Sequence, residues 1–178
     1  QWSKVSHLNF RGTGLSDSSR WFDALPLSLV DFDVSRTKIY GPVPPLAHLV
    51  NLDTLVLTET ELSSFSSLPS SLRVIDAGTT YLGTTLDWIR DVPELRSLSL
   101  GNSNLTGTFP VDLLTLSNLY MLRIDANSLS STIPDLGALK HLFSFNLSSN
   151  NFGGSLDAVC SLPKLAYLYA EYNAFDGS

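Results

Sequence analysis

The sequence predicts a solenoid in which about eight short units stack and each gives one strand to a parallel sheet. Three observations carry that expectation. The pattern L-x-x-L-x-L-x-x-N-x-L, with Asn, Thr or Ser at the N place, can be laid on the chain eight times. Every apolar place in it is filled by an apolar residue, although only 43% of the chain is hydrophobic. The copies recur at about 23 residues, and a fixed period of that size decides architecture before any local motif does. Within each copy, L-x-L alternates across a strand, so its two apolar residues face a core and the one between them faces solvent.

The copies follow in order. The first holds Val5, Leu8, Phe10, Thr13 and Leu15, and the second Leu29, Phe32, Val34, Thr37 and Ile39. The third holds Leu52, Leu55, Leu57, Thr60 and Leu62, and the fourth Leu72, Ile75, Ala77, Thr80 and Leu82. Then come Leu95, Leu98, Leu100, Ser103, Leu105 and Leu119, Leu122, Ile124, Asn127, Leu129. The last two are Leu142, Phe145, Leu147, Asn150, Phe152 and Leu165, Leu168, Ala170, Asn173, Phe175. No copy can bury its apolar face alone, so each is stable only against its neighbours. The polar place turns the chain out of the strand and should form a ladder bonded to the backbone. Asn brings two donors and an acceptor, whereas Thr and Ser bring one hydroxyl, so the rungs from Thr13 to Ser103 should satisfy fewer groups than Asn127, Asn150 and Asn173.

After the rung, three copies continue as IYGPVP at 39–44, LTGTFP at 105–110 and LSSTIP at 129–134. This L-x-G-x-I-P continuation resembles the plant-specific class of extracellular leucine-rich repeats, seen in receptor-like kinase ectodomains, receptor-like proteins and polygalacturonase inhibitors. The Thr rungs in FRGTGL and DAGTTYL resemble repeats of protist surface antigens. The resemblance covers residues 5–178. It implies a curved right-handed solenoid with a parallel β-sheet on the concave face. Short helical, 3-10 or irregular segments and partial second strands are implied on the convex side. The third copy, LSSFSSLPSSL, lacks G-x-I-P, and its rung lies only 20 residues before the next, so the convex side is expected to change there. Neither terminus reads as a polar cap, and no Cys precedes Cys160. The expectation is a single repeat domain over 1–178 that is a piece of a longer protein and lacks both caps.

Composition narrows the function classes. A net charge of −6 with 11 Lys and Arg argues against nucleic acid, whose affinity rests on basic contacts to phosphate. No apolar run reaches the roughly 18 residues that span a bilayer, so no membrane insertion is expected within this chain. Cys160, in LDAVCSLPKL, is expected to be a small buried apolar residue. Asn104-Leu105-Thr106 and Asn146-Leu147-Ser148 are N-glycosylation triplets. With the resemblance, they place the protein outside the cell or on its surface. No cofactor or metal is expected, because His7, His48 and His141 have no ligand spacing and no phosphate-binding glycine loop or nucleophile elbow occurs. Asp31 and Asp33 could pair for acid/base chemistry. As neighbours on one strand they read instead as solvated residues in mixed-charge pairs, so an enzyme is not expected.

The exposed places of each copy align into columns. The column before the first inward strand residue reads His7, Asp31, Thr54, Val74, Ser97, Met121, Ser144, Tyr167. The column between the inward residues reads Asn9, Asp33, Val56, Asp76, Ser99, Arg123, Asn146, Tyr169. Two further columns, from Arg11 to Glu171 and from Gly12 to Tyr172, are also expected to face outward. Charge gathers in the early copies and aromatic surface in the last. Met121, Arg123, Tyr167, Tyr169, Glu171 and Tyr172 are therefore the candidate ligand-binding residues. The leading functional reading is a recognition module whose concave face binds a protein, peptide or glycan. The alternative is a structural or adhesive surface component that self-associates with further repeats. A third reading, ice binding through Thr108 and Thr132, is weakened where the hydroxyl array breaks at Pro42 and Ser155.

Overall fold

A computed structural model describes residues 2–17, 19–83 and 86–176. In chain order the strands are β1 (His7–Asn9), β2 (Asp31–Asp33), β3 (Tyr40–Val43), β4 (Thr54–Val56), β5 (Glu61–Phe65), β6 (Val74–Asp76) and β7 (Ser97–Ser99). They continue with β8 (Thr106–Gly107), β9 (Met121–Arg123), β10 (Ser128–Thr132), β11 (Ser144–Asn146), β12 (Asn151–Gly154), β13 (Tyr167–Tyr169) and β14 (Ala174–Phe175). One strand from each copy joins an eight-stranded sheet in the order β1-β2-β4-β6-β7-β9-β11-β13. All its pairings are parallel, and the register sets His7 against Asp31, Thr54 against Val74 and Met121 against Ser144. Those are the columns read from the sequence.

The flank carries second strands as expected, but in two separate pieces. β3 pairs with β5, while β8, β10, β12 and β14 form a four-stranded sheet. The break falls one copy later than the missing G-x-I-P suggests. The third copy still makes β5, and it is the fourth, around Leu82, that contributes no second strand among the described residues. Among the described residues four short helical segments span the convex side: Ser19–Ala24, Asp87–Asp91 and Val111–Thr115 are 3-10, and Asp157–Cys160 is α. Pro110 opens the third at φ −71°, which its ring sets without strain, and Leu113 and Leu116 then drop into the core.

That core is one continuous cluster running the length of the solenoid. Leu55, Leu57, Leu98 and Leu122 are fully buried. At the two ends the inward residues are less covered: Leu8, Phe10 and Leu15 are half-buried, and Leu168 is 37% exposed. An outermost strand has a neighbour on one side only, so its inward side chains are capped on one face.

The last outer column, from Gly12 to Tyr172, is exposed as expected, whereas the one before it corrects the sequence reading in part. Ser35, Gly78, Gly101 and Ser148 are buried, because the chain bends past the strand end and small residues tuck under the next repeat. A Cβ on Gly101 would stand 3.0 Å from the Asp125 carboxylate. The following column is left-handed in all copies: Gly12, Arg36, Glu59, Thr79, Asn102, Ala126, Ser149 and Tyr172 have φ between 52° and 68°. Each non-glycine there costs about 1 to 2 kcal/mol. The bend is held by bonds between repeats, as where the Ala126 N–H donates to the Ser148 carbonyl at 2.9 Å and Ser149 to Glu171 at 2.9 Å.

Beneath this bend lies the polar ladder. The hydroxyls of Thr37 and Thr60 each donate to a carbonyl of their own copy, Val34 and Leu57, both at 2.7 Å. Thr80 and Ser103 reach back one copy, to Leu57 at 2.9 Å and Ala77 at 3.1 Å. Asn127 does more. Its amide donates to the carbonyls of Ile124 and, one copy back, Leu100, both at 2.9 Å, while its oxygen accepts from Ser103 N–H at 3.0 Å and Leu105 N–H at 2.9 Å. Asn150 and Asn173 repeat the scheme toward Leu129 N–H and Phe152 N–H, both at 3.0 Å.

Candidate functional site

Two kinds of surface meet on the concave sheet. Over the first strands the charged residues answer one another across neighbouring copies. His7 Nε2 lies 2.7 Å from Asp31, the Asn9 amide donates to Asp33 at 3.3 Å, and the Ser35 hydroxyl donates to the other Asp33 oxygen at 2.6 Å. Arg36 pairs with Glu59 at 3.0 Å and Arg73 with Asp53 at 2.6 Å. Asp31 and Asp33 are thus each engaged in contacts with neighbouring side chains. Among the described residues no group of His, Cys, Asp and Glu could hold a metal ion.

Over β9, β11 and β13 the surface is aromatic. Met121, Ser144 and Tyr167 follow one another in register, as do Arg123, Asn146 and Tyr169. Tyr167 is 53% exposed and Tyr169 46%. Arg123 folds back on Asp125 of its own copy at 3.3 Å, which leaves part of its charge committed. Glu171 is exposed one bend further on, and Tyr172, in the left-handed column, projects into solvent at 81% exposure. The six candidate residues therefore occupy one end of the sheet but not one plane, with Tyr172 standing apart at the bend.

The structure adds residues that the column reading passed over. The place just before each strand carries Asp53, Arg73, Arg96, Tyr120 and Phe143 in successive copies. Tyr120 stacks on Phe143 with centroids 4.8 Å apart and planes within 8°, and Phe143 meets Tyr167 edge-on at 5.3 Å. This aromatic run borders a cleft of about 520 Å³ lined by Arg96, Ser97, Asn118, Tyr120 and His141. The signal was present in the sequence as the first x of L-x-x-L, a position that the strand alternation alone does not mark as outward.

The two glycosylation triplets sit differently. Asn104 is exposed at φ 57° on the bend before β8. Asn146 is half-buried at the end of β11, and its oxygen accepts from Ser148 N–H at 3.1 Å and the Ser148 hydroxyl at 2.8 Å. Cys160 is exposed at the end of the α-helical turn, contrary to the buried role expected of it: Val159 takes the core position instead. No helix of the described residues is long and apolar enough to cross a membrane.

Comparison with known proteins agrees with this geometry. The leucine-rich-repeat family model matches residues 94–116. Receptor-like protein 18 of Arabidopsis thaliana is 30% identical over 204 residues, an alignment that takes in 98% of this chain. The chain spans 24% of the length of that relative and a smaller share of the others that lead the comparison. Among solved structures, the PEPR1–AtPEP1 complex superposes with a TM-score of 0.78 at 26% identity, over 98% of this chain and 26% of the other. The ectodomain of the Arabidopsis receptor kinase HAESA, bound to an extended IDA peptide hormone, superposes with a TM-score of 0.81 at 23% identity, over 96% of this chain and 31% of the other.

Proposed function

We propose that this chain, which belongs to the extracellular leucine-rich-repeat family and is similar to plant receptor-like proteins, is a recognition module that binds a protein or peptide on the concave face of its last repeats. One observation carries the reading. The exposed aromatic and sulfur side chains of this face, Tyr120, Met121, Tyr167 and Tyr169, gather over β9 to β13, while the charged groups at the other end are mostly paired among themselves. Aromatic side chains give large contact area at low entropy cost and dominate interface energetics. The likeness to the HAESA ectodomain, solved with an IDA peptide hormone, supports a peptide or protein partner, and receptor-like relatives support a place outside the cell or on its surface.

The test is a peptide and ectodomain binding screen, followed by Tyr167→Ala with Tyr169→Ala in the best binder. The expected result is at least about a tenfold loss of affinity, the scale of a hot-spot truncation, with an unchanged melting temperature. Unchanged affinity, or loss that tracks unfolding, contradicts the reading.

Glycosylation bears on the same surface. Asn104 is the fitting acceptor because its side chain is exposed on a bend away from the aromatic patch. A glycan on Asn146 would stand between Arg123 and Tyr169, its register neighbours. The reading therefore requires Asn104 to be modified and Asn146 to be largely bare. Peptide mapping of secreted material before and after glycosidase treatment checks both sites.

A further inference from the structure

We propose that the cleft beside Tyr120 is a carboxylate-binding site that receives an acidic group of a peptide lying on the concave face. This rests on the reading above and names the chemistry that the face selects.

Arg96 is the central observation. Arg36, Arg73, Arg90 and Arg123 each pair with a carboxylate of the chain. The Arg96 guanidinium, in contrast, makes no hydrogen bond or ion pair with any described residue, and it forms a wall of the cleft of about 520 Å³. In the preceding copy Arg73 is already held by Asp53 at 2.6 Å, so Asp53 is not available to neutralise Arg96. Glu94, on the same turn, accepts from the Asn118 amide at 3.1 Å.

His141, which also lines the cleft, supplies a further donor. The Lys164 ammonium lies 3.1 Å from His141 Nδ1. An ammonium can only donate, so this contact fits the tautomer in which Nδ1 accepts and Nε2 carries the N–H. A carboxylate between Arg96 and His141 would thus meet a planar fork that matches its two oxygens, together with a second N–H. The floor suits the adjacent residue. Tyr120 is covered on one ring face by Phe143, which follows it in the ladder, and lines the cleft together with Arg96. An acidic residue next to an aromatic one fits both halves.

The test uses the whole chain and defined probes: acetyl-Phe-Asp-amide, its neutral isostere acetyl-Phe-Asn-amide, and acetyl-Gly-Phe with a free terminal carboxylate. Binding is followed by NMR at the Arg96 Nε–H and the Tyr120 ring. The Asp peptide is expected to bind about tenfold or more tighter than the Asn peptide, the scale of a charge-assisted pair. Arg96→Gln should erase that preference, and Arg90→Gln, on the convex side, should keep it. Comparing the Asp peptide with the free-carboxylate peptide decides whether a side chain or a chain terminus is the preferred source. Equal binding of the Asp and Asn peptides, a preference that survives Arg96→Gln, or no saturable shift would overturn the site. So would an equal response to inorganic sulfate, which would mark an unselective anion site. A screened ligand that loses affinity with the tyrosine pair but not with Arg96→Gln would overturn the cleft alone and leave the concave-face reading standing.

Discussion

The first five repeats and the last three are built to one pattern, yet they are tied together differently. The early rungs are hydroxyls: Thr37 makes a single bond, within its own copy. The late rungs are carboxamides, and Asn127 spans two copies while also holding Leu105 N–H, at the entrance to β8. Asn150 and Asn173 likewise hold Leu129 and Phe152, which lie in β10 and β12. The continuous flank sheet begins at β8, in the Ser103 copy next to them, and runs on through these three copies, and the flank is broken where Thr80 is the rung. A carboxamide, which donates through its nitrogen to the strand carbonyls and accepts through its oxygen from the neighbouring copy, fastens the second strand to the first. A hydroxyl that spends its proton on a strand carbonyl leaves the flank to pair by itself. The exposed aromatic patch stands over the firmly fastened end, where a fixed framework limits the entropy lost on binding.

The comparison can be broken at several levels. Leu122→Ala, which removes a fully buried side chain common to both kinds of repeat, should cost about 2 to 5 kcal/mol by urea unfolding and loosen adjacent repeats most. Asn127→Ala strands Ser103 N–H, Leu105 N–H and the Leu100 carbonyl at once. At about 1 to 3 kcal/mol for each group left buried, it should cost about 3 kcal/mol or more. Thr37→Ala loses one bond and should cost about 1 kcal/mol; a loss equal to that of Asn127→Ala would remove the distinction between the regions. The smallest effect is a gain. Ala126→Gly relieves a left-handed alanine at φ 52° and should raise stability by less than about 1 kcal/mol, because the greater freedom of glycine in the unfolded chain offsets part of the relief.

The architecture was legible because burial writes a period into the sequence. Leu55, Leu98 and Leu122 had to be apolar to close the core, and the same alternation placed Met121, Arg123, Tyr167 and Tyr169 on the open face. The left-handed column was not legible, since Arg36, Glu59 and Tyr172 are not residues that announce a positive φ. Their conformation is imposed by backbone bonds to the next repeat. The interruption of the flank after β5 was misplaced by one copy, because a Ser-rich segment without G-x-I-P still pairs when β3 offers it an edge. Phe143 and Arg96 were passed over for a related reason. They lie at a strand entrance, where contact with neighbouring copies, rather than pleat alternation, sets which way a side chain turns.

The most direct test is site-resolved hydrogen exchange on Asn127→Thr, which turns a late rung into an early one and changes little else. The account predicts that Ser103 and Leu105 amides exchange faster and that protection falls along β8 and β10, while the amides of β2 and β4 hold their rates. Unchanged exchange at Leu105, or an equal loss in every repeat, would contradict the claim that the rung side chain fastens the flank to the sheet.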